Sequence, residues 1–193
     1  GGTGGVGGSA TDGGGGTGGT LPPPPEWIAG THGLAKIRPT DPLPTGTAAA
    51  LEAARNEIEP FQLVVDGGEA GRSIDGAVAS ALVGPGATTI GPEQIWLYAE
   101  ALFDVPSPSN AEGAAGRWPD PLIPIVDPFD HQSRNALPMA VPAAERRALW
   151  IEVVVPAEAP AGSYHGTVTL TVDGVATPIA LTLRVRDFTL PPT

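Results

Sequence analysis

The chain has 193 residues, of which 27 are Gly and 23 Pro, with 41% hydrophobic, 16% charged and 5% aromatic. Gly and Pro cost about 1 and 3 kcal/mol in helix interiors, so this composition excludes a mostly helical protein. Ten Lys and Arg against 21 Asp and Glu give a net charge of −11, which repels nucleic acid and anionic lipid. There is no cysteine, which removes disulfides, zinc–cysteine sites and thiol nucleophiles together.

Residues 1–20 hold 12 glycines. Glycine has the most backbone entropy to lose, and this stretch offers almost no apolar area in return. It reads as a flexible tether, followed by a stiff spacer from Pro22 to Pro25. The domain division is therefore 1–25 as tether and 26–193 as folded domain. Opening at Gly1 without Met or a signal peptide, the chain reads as a processed or excised product. No apolar run is long enough to span a bilayer as a helix.

From Glu26 onward, short apolar runs alternate with turn signals. Leu34–Arg38, Phe61–Val65, Ile74–Val83 and Ile95–Val105 are predicted strands. Thr47–Arg55 has helical composition but spans only about two turns, too few to stand alone; it is predicted as a strand. Pro106–Pro142 is rich in proline and lacks strand periodicity, so it is predicted as a long ordered loop over the sandwich. Leu149–Val155 reads as a buried strand with Trp150 in the core. Val and Leu then alternate strictly with Thr across Gly166–Val172, the period of a half-buried strand. Asp173-Gly174 supplies a tight turn, and the return strand presents Ile179, Leu181, Leu183 and Val185 on one face. About seven short strands without intervening helices indicate an all-β, antiparallel β-sandwich, immunoglobulin-like or related.

Chemistry-bearing motifs are sparse. Glu57 and Glu59 share a strand face but read as solvated or loop-capping acids. There is no G-x-S-x-G elbow, and His32, His131 and His165 stand outside any motif. Asp120, Asp127, Asp130 and His131 crowd the proline-rich loop, where oxygen donors suit calcium. Their spacing matches no defined calcium loop, and aspartates beside prolines also serve as turn formers. Among Trp27, Trp96, Trp118 and Trp150, only Trp118 falls in a loop. With Asp120 beside it, Trp118 is the candidate for a glycan or interdomain contact, the second weighed above the first.

Five segments in order carry a resemblance: Asn56-Glu57 with Glu59–Val65, Trp118–Pro124, Leu149–Pro156, Pro160–Val168 and Asp187–Pro191. Together they resemble the N-terminal β-sandwich domain that precedes the catalytic barrel in glycoside hydrolase family 123-like proteins. The resemblance implies a non-catalytic domain whose partner is a C-terminal barrel absent from this chain. It carries no catalytic residue onto any position here. The expected function is an accessory sandwich of a secreted or surface-tethered glycoside-hydrolase-like protein. The alternatives are a self-associating structural module using its sheet edges and glycine tail, and a carbohydrate-binding module.

Overall fold

The computed structural model of the chain describes residues 21–46, 49–111 and 113–192. The expected glycine-rich tether lies outside the described residues. Two sheets face one another, as the apolar alternation requires. The first contains β1 (Ile28–His32), β3 (Ile58–Asp66), β10 (Arg146–Val154), β7 (Ile95–Val105) and β8 (Gly116–Pro124), side by side in that order. The second runs β2 (Ala49–Arg55), β12 (Val175–Thr189), β11 (Gly162–Val172), β4 (Arg72–Ala79) and β9 (Met139–Val141). Two short strands, β5 (Leu82–Val83) and β6 (Thr89–Ile90), extend it beside β11.

The β11–β12 hairpin forms as predicted. Asp173 and Gly174 both take positive φ, 50° and 75°, the geometry a two-residue turn demands. Ile179, Leu181, Leu183 and Val185 all enter the core, and each such burial contributes about 1.5–3 kcal/mol. β2 confirms the strand reading of Ala49–Arg55, because Ala49, Leu51 and Ala53 face inward at period 2. It pairs with β12 in parallel, whereas the other described strand pairs are antiparallel. Facing strands fill the interior with Phe61, Leu63, Leu149, Ile151, Val168 and Leu170 among others.

Four expectations need correction. Leu34–Arg38 is not a strand; the strand lies just before it, at β1, and Leu34 is fully outside the core. Ile74–Val83 divides into β4 and β5 around Ser80-Ala81. The region Pro106–Pro142 is not all loop, since it contains β8 and β9. β8 carries Pro119, Pro121 and Pro124 because it is an edge strand, with one side free of ladder bonds. Trp150 is half-buried on the outer face rather than in the core. Leu149, Ile151 and Val153 take the inner face, so period 2 turns Trp150 outward, where its indole N–H donates to Glu152 Oε1 at 3.1 Å.

Candidate functional site

The outer face of the first sheet is unusual for a two-sheet sandwich. Gln62, Val64 and Ala148 point away from the core and are nevertheless buried. Residues 33–46 explain this by crossing the face as a strap. Gln62 Nε2 donates to Ala35 O at 2.6 Å and to His32 O at 3.2 Å. Arg146 N donates to Pro39 O at 2.8 Å, and Gly30 N to Gly46 O at 2.9 Å. The strap then reaches β8, where the sequence places Trp118 and Asp120.

There Lys36 Nζ donates to Pro119 O at 3.2 Å and approaches Asp120 Oδ1 at 3.5 Å. Arg38 lies over the Trp118 ring at 4.6 Å and donates to Ala115 O. The Trp118 indole N–H donates to Ala114 O at 2.8 Å. Trp118 thus has its polar edge tied and a cation on its ring, which suits a packing role. The Asp120 side chain is 77% exposed, so its pairing with Lys36 is a surface contact of small energy.

Sequence reasoning missed the acid beneath this cluster. Glu100 on β7 follows Tyr98, which pairs with Trp150, and so shares the outer face. It is 3% exposed, and its Oε2 has no hydrogen-bond partner. Burial pushes its carboxyl up to about 7, while the cations Lys36 and Arg147 pull it down and Asp120 adds to the rise. A lone acid within the apolar run Ile95–Val105 was the available signal. Nearby, Tyr98 OH donates to Glu152 Oε2 at 3.2 Å, and burial with that carboxylate pushes the phenol above its ordinary range.

The aspartates after β8 form a different cluster. Asp127 Oδ1 accepts Phe129 N at 3.0 Å and Asp130 N at 3.3 Å. Arg134 Nη2 donates to Asp127 Oδ2 at 2.8 Å and to Asp130 Oδ2 at 2.6 Å. Arg134 and the Phe129 N–H hold the Asp127 carboxyl below its usual range. His131 sits in the same turn at φ 57°, its N–H on Asp127 O at 2.9 Å. Asp120 belongs instead to the Lys36 side. Among the described residues, no three His, Cys, Asp or Glu side chains gather where they could hold a metal.

Beside this turn lies an apolar cleft of about 340 Å³ between β4 and the start of β7, lined by Val78, Ile95, Trp96 and Val126. The Trp96 ring stands 6.1 Å from that of Phe129, which is 85% exposed. Glu57, weighed above as a possible acid, caps a turn by accepting Ala54 N at 2.6 Å. Glu59 is raised by burial and then by Glu57. His165 is exposed on β11.

A family profile described as the glycoside hydrolase 123 N-terminal domain matches residues 110–172. That stretch runs from the approach to β8, through the aspartate turn and β10, to the end of β11. No curated protein matches. A solved family 123 glycoside hydrolase from Clostridium perfringens, described for its hydrolysis of glycolipid glycans, shares the fold with a TM-score of 0.58 at 15% identity. The similarity covers 85% of this chain and spans only 28% of the solved enzyme. Over residues 110–172, therefore, the chain is similar to the N-terminal domain of glycoside hydrolase 123, a stretch that holds three of the five motif segments, on a β-sandwich fold similar to part of an enzyme of that family.

Proposed function

We propose that this chain is a non-catalytic accessory sandwich of a longer, secreted or surface-tethered glycoside-hydrolase-like protein, supporting a C-terminal catalytic barrel. The observation that carries the reading is the match of residues 110–172 to an N-terminal domain. The limited share of the solved enzyme that this fold spans supports it. So does the engagement of the domain's acids. Glu57 caps a turn, Asp127 and Asp130 share Arg134, and Glu100 is sealed beneath the strap. Acid–base chemistry on a glycoside needs two carboxyl groups facing an open cleft.

Self-assembly by strand addition is the weaker reading. An edge recruits another chain through free N–H groups, and the prolines of β8 leave one outer strand short of such donors. The test compares the parent protein with a version lacking residues 26–193. Loss of the sandwich is expected to lower the melting temperature of the barrel and its resistance to proteolysis. A barrel of unchanged stability refutes the supporting role.

A further inference from the structure

Three of the five motif segments, far apart in sequence, meet at one corner of the sandwich. Asn56-Glu57 turns the chain from β2 in one sheet to β3 in the other. Val155, just beyond β10, closes that turn: Asn56 N donates to Val155 O at 3.0 Å and Val155 N to Glu57 O at 2.8 Å. The segment Asp187–Pro191 crosses the same corner. β12 parts from β11 after the pairing of Val185 with Gly162, and its last residues are then held by β2, Thr189 lying opposite Arg55. Leu190 N donates to Arg55 O at 2.9 Å, Asn56 Nδ2 donates to Leu190 O at 3.1 Å, and Arg55 ion-pairs with Asp187.

A flexible linker leaves its backbone to solvent and carries polar side chains. This exit does neither. Its amide and carbonyl at Leu190 are both engaged, and Asn56 holds the clamp from φ 59°, a left-handed conformation that asparagine tolerates. Large apolar side chains stand open beside it: Phe188 is 56% exposed, Ile58 48% and Leu190 37%. Ile58, Val154, Leu190 and Pro191 line a cleft of about 420 Å³ there.

We propose that this corner is a fixed domain junction: Ile58, Phe188 and Leu190 form the apolar seat of the domain that follows Thr193, and the Asn56–Leu190 clamp sets that domain's orientation. The proposal rests on the accessory-domain reading. The occupant is the following domain because the chain leaves along the seat itself, and the similar solved enzyme extends far beyond the shared fold.

The experiment uses the full-length parent and two variants. Ile58→Ser with Phe188→Ser removes the seat at exposed positions. Asn56→Gly keeps the backbone conformation and removes only the side-chain bond to Leu190. The parent is expected to unfold in one calorimetric transition. The double variant is expected to unfold in two, the sandwich transition unshifted, with cleavage just after Pro192 accelerated on the order of tenfold as the open form gains population. Asn56→Gly is expected to broaden the interdomain distances seen by solution scattering. A parent whose transition, cleavage and scattering are untouched by all three substitutions overturns the junction and leaves the accessory reading standing. A dimer that falls apart in the double variant assigns the seat to a second copy and also overturns it. A native chain with no domain after Thr193 overturns both.

Discussion

The Glu100→Gln substitution tests whether the strap seals a carboxyl at a cost. Glu100 is 3% exposed, and its Oε2 has no hydrogen-bond partner. Its carboxyl is raised from 4.5 to about 7, burial outweighing the attraction of Lys36 and Arg147. At 1.36 kcal/mol per unit, that shift is worth about 3 kcal/mol. In the unfolded chain the carboxyl ionises near 4.5, while in the folded chain it keeps its proton to about 7. Between those values the folded state binds more protons, so its stability falls as pH rises through that window. The favourable contribution is intact below pH 4.5 and lost above about 7. Glutamine fits the same space without ionising. The variant and the parent should therefore be of similar stability at pH 4, and the variant more stable by up to about 3 kcal/mol at pH 8. For a domain of this size that is a melting-temperature difference of roughly 6–12 °C. Urea unfolding of both proteins from pH 4 to pH 9 measures it, and taking their difference cancels the other acids. A difference that stays constant with pH, or grows toward low pH, refutes the reasoning.

The remaining predictions probe neighbouring contacts. Lys36→Met removes a cation that lowers the Glu100 carboxyl and a donor to Pro119 O; it is expected to move the pH-dependent loss upward in pH and to increase hydrogen exchange along residues 33–41. Gly67→Ala sets a Cβ 2.1 Å from the backbone oxygen of Pro142, and backbone cannot yield as a side chain does, so urea unfolding should show a loss of about 1–3 kcal/mol. Arg134→Ala removes the largest cause of the low Asp127 carboxyl. Carboxyl-carbon NMR should then show Asp127 titrating higher, yet still below an ordinary aspartate because the Phe129 and Asp130 N–H groups remain.

How much of the fold the sequence displays depends on whether one strand carries its own evidence. The β11–β12 hairpin does, since threonine alternation and Asp173-Gly174 state its faces, its turn and its register together. Ala49–Arg55 is readable for the same reason: Leu51 marks the inward face at period 2 although the composition favours helix. β8 is not readable, because prolines that signal a loop in isolation are allowed on an edge, and edge position is a property of the assembled sheet. Leu34–Arg38 misleads in the opposite direction. From Ala35 to Arg38 it alternates apolar with basic residues as a strand would, but its ties across the sheet are side-chain bonds, Gln62 to Ala35 O and Lys36 to Pro119 O, rather than a ladder.

The candidate site divides along the same line. Trp118 and Asp120 stand out as a large aromatic and an acid among rigid turns, and the structure does gather them with Arg38 and Lys36. Their partners lie some eighty residues away and arrive only when the strap crosses the sheet, so spacing could not announce them. Asp127, Asp130 and His131 are close in sequence, a pattern that fits cation ligands and turn formers alike. Their closeness is also what lets Arg134 and the turn's own N–H groups satisfy the two aspartates. Glu100 shows the converse. On β7 alone it is one acid in an apolar run; under the strap it becomes a buried carboxyl with an unpartnered oxygen. Desolvation is set by whatever covers a group, and the covering segment here belongs to another part of the chain. A local pattern therefore identifies residues that satisfy one another, whereas strain imposed by a crossing segment becomes visible only in three dimensions.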